Sequence, residues 1–166
     1  LFGHRKTIEI PYDDLNVWIA NEGTQLLEEI GVDLPRSVKG AMVDAPRDGV
    51  VRISFEIDGR NSEQVLTLSF AIAVGDDGTV TSELVGATAG RMPLPTQTAI
   101  DLIAARADGH TTLIDLMTGQ PVAPVDVPID PSKDGVRDGR LVGLTVRTDA
   151  LVVTRETIER QQPTQN

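Results

Sequence analysis

The stretch from residue 50 to residue 74 constrains the fold more than any other part of the chain. Apolar and polar residues alternate along its first half, and large apolar and small residues alternate along its second half. A period of two places successive side chains on opposite faces of a β-strand. Gly and Asn between the halves, within 58–62, favour a turn. We therefore predict that Val50–Asp58 and residues 64–74 pair as adjacent antiparallel strands, in a sheet half exposed to solvent or curved around something apolar.

A helix is predicted before this pair. Asp13 or Asp14 can cap its first turn, where a carboxylate accepts free N–H groups, and Gly31 is a natural residue at which to end it. One broad stripe at helical spacing contains Leu15, Trp18, Ile19, Leu26, Leu27 and Ile30. Such a stripe is typical of a helix packed on a core. We therefore expect Trp18 to be mostly buried against the aliphatic face of the sheet.

The remaining elements follow from turn residues and periodicity. Strands are predicted at 7–10, 38–43 and 80–89, with turns at 46–49 and 75–78. Gly86 and Gly90 interrupt the third of these strands and predict a bend or bulge there. A helix is predicted from Pro95 or Thr96, with Ile100, Ile103, Ala104 and Ala107 on one face and a stop at 108–109. Residues 111–117 fit a helix or a strand, and we favour a helix. Three prolines make 122–129 an extended edge. Segments 141–146 and 150–154 form a closing hairpin.

Composition narrows the class of protein. The chain has 166 residues, which favours one domain, and we place it at 1–160 with a polar tail at 161–166. Aromatic residues make up only 3%, so the core must be aliphatic. A net charge of −10 argues against nucleic acid, because phosphate binding needs a cationic surface. The absence of cysteine excludes disulfides and thiolate chemistry.

Candidate catalytic and metal-binding residues form no recognisable pattern. Asp130, Asp134 and Asp138 recur in one loop, but they lack the alternate spacing and closing Glu of a calcium loop. His4 and His110 have no partner at zinc-ligand spacing. No serine lies in a nucleophile elbow, and no glycine-rich loop matches a phosphate-binding motif. We therefore expect no catalytic residues, no metal and no cofactor. A hydrolase using paired acids is the least favoured alternative.

The order of these segments resembles a known family. A helix built on 12–19 precedes a strand meander that ends in 85–95, Val-Gly-Ala-Thr-Ala-Gly-Arg-Met-Pro-Leu-Pro, and a helix and the hairpin 143–154 follow. This order is similar to that of bacterial membrane-anchored proteins of the TULIP-like (tubular lipid-binding) superfamily, including the LmeA-like phospholipid-binding family. The resemblance spans most of the chain through short motifs. The acidity of the chain and the loop at 122–138 depart from the family pattern.

The resemblance implies an α+β fold in which a curved antiparallel β-sheet, a meander, is wrapped on a long N-terminal helix, with a second shorter helix. It also implies a non-enzymatic domain outside the cytoplasm, in the periplasm or cell envelope. There it would be held at the membrane by a segment upstream of residue 1, with a lipid or acyl chain against the concave face. We predict an apolar slot lined by Phe55, Leu68, Phe70 and Ile72, near Met92 and Leu94. The alternative is a structural or protein-interaction domain with a filled core and no ligand.

Overall fold

A computed structural model of the chain describes residues 4–29, 38–58, 63–105, 111–122, 126–128 and 138–158. Nine strands and three helices lie in these ranges. The strands are β1 (Arg5–Pro11), β2 (Val38–Arg47), β3 (Val50–Asp58), β4 (Glu63–Val74), β5 (Val80–Ala89), β6 (Met92–Leu94), β7 (Asp126–Pro128), β8 (Asp138–Val146) and β9 (Ala150–Ile158). The helices are α1 (Tyr12–Glu29), α2 (Thr96–Ala104) and α3 (Thr111–Thr118).

The strands form two antiparallel sheets. The larger sheet has the order β2-β3-β4-β5-β6, and the smaller has the order β1-β9-β8-β7. The larger one is a simple meander, because each strand pairs with the next along the chain. The smaller one joins the two ends of the described chain, since β1 pairs with β9. The sheets meet at their turns, where Gly49 N–H donates to the carbonyl of Val146 at 2.9 Å.

The predicted fold class is therefore wrong. The described part is mostly β, and its strands belong to two sheets instead of one sheet wrapped on a long N-terminal helix. Helix α1 packs at one margin of the larger sheet, on β2, and does not form the centre of the fold. The error has a physical cause, because the period-two patterns of β1, β8 and β9 identify strands but not their partners. Their pairing depends on segments 147 residues apart in the chain, Thr7 opposite Thr154 among them.

Most of the individual elements are confirmed. Strands β3 and β4 pair antiparallel, with Ile53 opposite Leu68, and β4 begins one residue before the predicted start. Residues 111–117 are helical, and α2 begins at Thr96. A bulge interrupts the β4–β5 register beside Gly86, as glycine in a strand predicts. Strand β7 lies at an edge, as its proline requires. The predicted turn at 46–49 is narrower, because β2 continues to Arg47.

Several predictions fall outside the described residues. They are the helix stops at Gly31 and 108–109, the apolar positions at Ile30 and Ala107, the tail at 161–166, and the acidic loop that contains Asp130 and Asp134. The side chains of Leu26, Leu27 and Asp138 are likewise not described.

Trp18 is not buried, contrary to the prediction. Its side chain is 39% exposed, and its indole N–H donates to the Glu22 carboxylate at 3.0 Å. The packed face of α1 instead follows Tyr12, Leu15 and Ile19. At 100° per residue, Trp18 lies roughly 90° around the helix from the centre of that face. The apolar stripe in the sequence includes Trp18, but the surface of α1 that packs on the rest of the protein is narrower than this stripe.

Asn16 fastens α1 to the outer edge of β2. Its side-chain amide donates to the Val43 carbonyl at 2.9 Å, and its oxygen accepts the Val43 N–H at 2.7 Å. The amide thus takes the place of a neighbouring strand at the centre of this edge. Both backbone groups of Val43 would lose their partner without it, and Val43 is buried.

We expect Asn16→Ala to lower the free energy of unfolding by about 1–3 kcal/mol, the usual cost of leaving buried backbone groups unpaired. Urea denaturation measures the change. Asn21→Ala is the matched control, because the bond that Asn21 forms within the described residues is to the Val17 carbonyl of its own helix, at an exposed position. Its effect should stay within about 0.5 kcal/mol. Equal effects of the two substitutions would show that the Asn16–Val43 contact carries no stability.

Candidate functional site

One face of the larger sheet carries most of its large apolar side chains. Residues directly opposite each other in an antiparallel pair lie on the same face, so the register defines rows across the strands. The first row is Ala41, Phe55, Leu66, Ala89 and Met92. The second row is Val43, Ile53, Leu68, Ala87 and Leu94. Phe70 and Ile72 continue the same face along β4. We call this face the apolar face.

The helices cover the two sides of the apolar face unequally. Helix α1 packs on β2, whereas α2 and α3 pack on β5. The central strands β3 and β4 lie between these helices, and their side chains Phe55, Leu66 and Phe70 are only half-buried. In the described part of the chain, the helices therefore contact mainly the outer strands, and a strip of half-buried side chains on the central strands lies between them. We infer a groove here, with this strip as its floor and the helices as its walls.

Two apolar clusters border the groove. The first joins α1 and the smaller sheet to the larger sheet through Tyr12, Val43, Ala45, Val51 and Val146. The second joins α2 and α3 to the larger sheet through Leu68, Leu84, Ala87, Ala99 and Met117. Strand β8 lies against β4 near the turn that follows β4, at Gly78. The smaller sheet therefore closes one end of the groove, and the first row, with Phe55 and Leu66, lies at the other end.

All six residues predicted to line the slot lie on the apolar face, but packing divides them. Leu68 is buried, and Phe55, Phe70 and Leu94 are half-buried against the same cluster. Ile72 packs instead on the cluster formed with α1 and the smaller sheet. Met92 is 63% exposed at the outer end of the first row. Leu68 and Ile72 thus belong to the core. The other four extend from the floor of the groove to its margin: Phe55, Phe70, Leu94 and Met92.

Sequence reasoning missed several members of the site. The half-buried side chains that complete it are Leu66, Ile100 and Ile103. Leu66 stood on the predicted strand face, and the two isoleucines stood on the predicted face of α2. Their periodicity was visible, but nothing in the sequence showed that α2 packs on β5. Met117, the most buried large side chain described, lies on α3 and entered the prediction only as part of a segment of uncertain type.

The opposite face of the larger sheet carries mostly polar and small side chains, with Met42 and Val65 exposed among them. Ser54 and Thr67 lie opposite each other there, with their hydroxyls 3.2 Å apart. Arg52 forms an ion pair with Asp44 on the same face. Hydrogen bonding to this carboxylate raises the pKa of Arg52, so the guanidinium stays charged. The two faces therefore offer different chemistry, and an apolar ligand would find its contacts on the groove side.

The hydroxyl of Tyr12, which lies near several acidic side chains, has a structural role. Burial, followed by the charges of Asp149, Asp44 and Asp48, raises the pKa of the Tyr12 hydroxyl. That hydroxyl donates to the Arg147 carbonyl at 2.8 Å and stays protonated at neutral pH. It therefore ties α1 to the turn between β8 and β9.

Two further features bear on catalytic and metal-binding chemistry. Across the described ranges, no three side chains of His, Asp or Glu converge to hold a metal ion. An open depression of about 410 Å³ is lined by Ala71, Ile72, Ala73, Thr81, Ser82, Glu83 and Gly119. Glu83 is the single ionisable group in that lining. A pair of carboxylates, which glycoside hydrolysis requires, is not present in this depression.

Comparison of the chain with protein-family models, with curated proteins and with solved structures finds no match. The resemblance to TULIP-like proteins therefore stays a prediction. None of the helices in the described residues is both long and apolar enough to cross a bilayer.

Proposed function

We propose that this domain binds an elongated apolar molecule, a lipid acyl chain, in the groove. The observation that carries the proposal is the half-burial of Phe55, Leu66 and Phe70 on the central strands, while the helices pack on the strands to either side. Ligand sites in proteins are typically lined by large aromatic and aliphatic side chains. The predicted location outside the cytoplasm, on an anchored protein, belongs to the same proposal and is supported by the resemblance alone.

The dimensions of the floor suit a single chain. The part of the apolar face outside the cluster with the smaller sheet runs along β4 from Leu66 to Phe70, which corresponds to roughly 13 Å at about 3.3 Å per residue. Each methylene removed from water contributes about 0.8 kcal/mol. About ten methylenes would then support micromolar binding if association costs stay at the low end. Binding of this kind depends on buried area, so it should change little with salt.

The clusters at the borders of the groove are built from aliphatic and aromatic side chains. A carboxylate or headgroup at the end of the chain would be costly to bury there without a partner. The polar end of a bound lipid should therefore lie toward the first row, near Phe55 and Met92, where Met92 is exposed. The opposite end lies against the smaller sheet and would hold the methyl terminus.

We expect a fluorescent fatty acid to bind the delipidated domain saturably, with Phe55→Asp weakening binding by about tenfold or more. The reason is that a charge on the groove floor must be desolvated when an acyl chain covers it. Ser54→Asp is the matched control, since Ser54 precedes Phe55 on β3 and points to the opposite, polar face. Circular dichroism and thermal melting should show that both variants are folded.

Native mass spectrometry of protein purified from cells provides an independent measurement, with co-purified lipid as the expected result. Lack of saturable binding by the wild-type protein in the titration, together with lipid-free protein in the mass spectrum, would contradict the proposal. The domain would then be a structural or protein-interaction module with a filled core. Equal loss of binding in Phe55→Asp and Ser54→Asp would place the ligand elsewhere.

A further inference from the structure

Strand β1 is an edge of the smaller sheet, and its outer side carries no strand in the described part of the chain. It pairs with β9 alone, over seven residues from Arg5 to Pro11. Arg5, Lys6, Thr7 and Glu9 are exposed, and only Ile8 and Ile10 are half-buried. A strand with this much open backbone is a template for pairing with another strand.

The direction of the free backbone groups follows from the pairing with β9. The N–H of Thr157 donates to the carbonyl of His4 at 3.0 Å, so this pair is hydrogen-bonded. Hydrogen-bonded pairs alternate along an antiparallel ladder. Lys6, Ile8 and Ile10 therefore point their backbone groups toward β9. The N–H and C=O groups of Arg5, Thr7 and Glu9 point outward, away from the sheet.

We propose that β1 pairs antiparallel with β1 of a second copy of this chain, with Thr7 opposite Thr7 across a two-fold axis. In this register Arg5 of each copy lies opposite Glu9 of the other. All three facing pairs join residues whose backbone groups point outward, so each pair can exchange both of its N–H···O bonds. The contact is the same on both sides, as in most homodimers. The two smaller sheets would join into one continuous sheet.

Charge complementarity selects this register and this partner. If one strand is displaced by two residues along the other in one direction, Lys6 lies opposite Lys6. If it is displaced by two residues in the other direction, Thr7 lies opposite Glu9. Larger shifts place Arg5 opposite Arg5 or Glu9 opposite Glu9, and like charges directly opposite each other destabilise a sheet. Among pairings of outward-facing residues, only the proposed register brings opposite charges together, and it does so twice. A second copy of the strand therefore complements the first.

The charges flanking the edge extend the same alternation. Arg5 already contacts Glu156 of β9 at 3.4 Å, and Glu9 already contacts Arg147 at 3.3 Å. Dimerisation would produce the order Glu156, Arg5, Glu9, Arg147 across the interface, with the last two residues from the second copy. Each of the two central charges in this row stands between two charges of opposite sign. An exposed pair contributes little alone, and such a network contributes more.

The proposal is tested by charge reversal in the full chain, with sedimentation velocity as the measurement. The wild-type protein should form a concentration-dependent dimer. Arg5→Glu alone and Glu9→Arg alone should each weaken the dimer by about tenfold or more, because each places two like-charged pairs across the axis. The double variant should recover the dimer in part, because both facing pairs again join opposite charges, while position 5 is then acidic beside Glu156 and position 9 is basic beside Arg147. An equimolar mixture of the two single variants should likewise recover it in part, as a heterodimer, because one chain is then acidic at both positions and the other is basic at both.

Thr7→Pro provides a test that does not depend on charge. The Thr7 N–H points outward, so proline removes two backbone hydrogen bonds of the dimer, one from each copy, and no backbone hydrogen bond to β9. It also removes the contact between the Thr7 and Thr154 hydroxyls at 3.1 Å. Edge strands tolerate proline. We expect a folded monomer, with circular dichroism as the check on folding. A wild-type protein that stays monomeric at high concentration, or single variants whose mixture does not re-form a dimer, would overturn the proposal. Since the groove lies on the larger sheet, fatty-acid binding should survive in all these variants if both proposals hold.

Discussion

Replacing Met117 with Ala is expected to lower the free energy of unfolding by about 2–5 kcal/mol. Met117 is 1% exposed and packs among Leu68, Leu84, Ala87 and Ala99, so its truncation leaves a cavity between α3 and the larger sheet. The loss combines the transfer free energy of the deleted atoms with the cost of that cavity. Chemical denaturation at equilibrium measures the change.

The matched control is Met92→Ala, which makes the same chemical change at a side chain that is 63% exposed. We expect it to alter stability by no more than about 0.5 kcal/mol. A similar loss in both variants would mean that Met117 is not buried and that α3 does not cover β5. The comparison therefore tests the wall of the groove that the sequence did not predict.

Gly78→Ala should be at least as destabilising, by about 3 kcal/mol or more. Gly78 lies in the turn between β4 and β5 with φ +85°, a conformation that costs an L-residue about 1–2 kcal/mol. An added Cβ would also lie 2.9 Å from the backbone oxygen of Leu141 in β8. This oxygen belongs to a strand, so the contact can be relieved only by shifting one sheet against the other.

Gly119→Ala separates the two contributions. Gly119 has φ +80°, but nothing lies within 4 Å of an added Cβ. Its substitution should cost only the conformational part, about 1–2 kcal/mol. Equal losses of stability for the two variants, measured in parallel by denaturation, would refute the close approach of the β4–β5 turn to β8. This approach closes one end of the groove, so the comparison also tests the shape of the site.

The candidate site shows which structural features the alternation of apolar and polar residues can predict and which it cannot. The alternation in β3 and β4 correctly placed Phe55, Leu68 and Phe70 on one face, because successive strand residues point to opposite sides. Leu94 and Met92 join that face through the register of β5 and β6. The alternation of apolar and polar residues did not show which of these side chains the helices would bury. Leu68 is buried under the α2–α3 cluster and Met92 is exposed, although both are simply apolar residues in the sequence.

Trp18 illustrates the same limit on a helix. Its spacing from Leu15 and Ile19 put it on one broad stripe, but only the part that meets β2 and the smaller sheet is packed. Asn16 is polar and therefore has no place in a hydrophobic pattern, yet its side chain forms two hydrogen bonds to the edge of β2. Hydrophobic patterns identify faces that can be buried, and they do not identify polar side chains that replace a missing strand.

The local features of this protein were determined by its sequence alone. The central strand pair, the turn at 75–78, the start of α2 and the edge position of the proline-containing β7 follow from interactions between near neighbours. Only the tertiary structure decided that the strands divide into two sheets, that β1 pairs with β9, and that α1 packs at a margin of the larger sheet. The reason is that a strand or helix carries one apolar pattern compatible with many partners. The partner is chosen by the packing of the whole chain, which brings together segments as distant as Thr7 and Thr154.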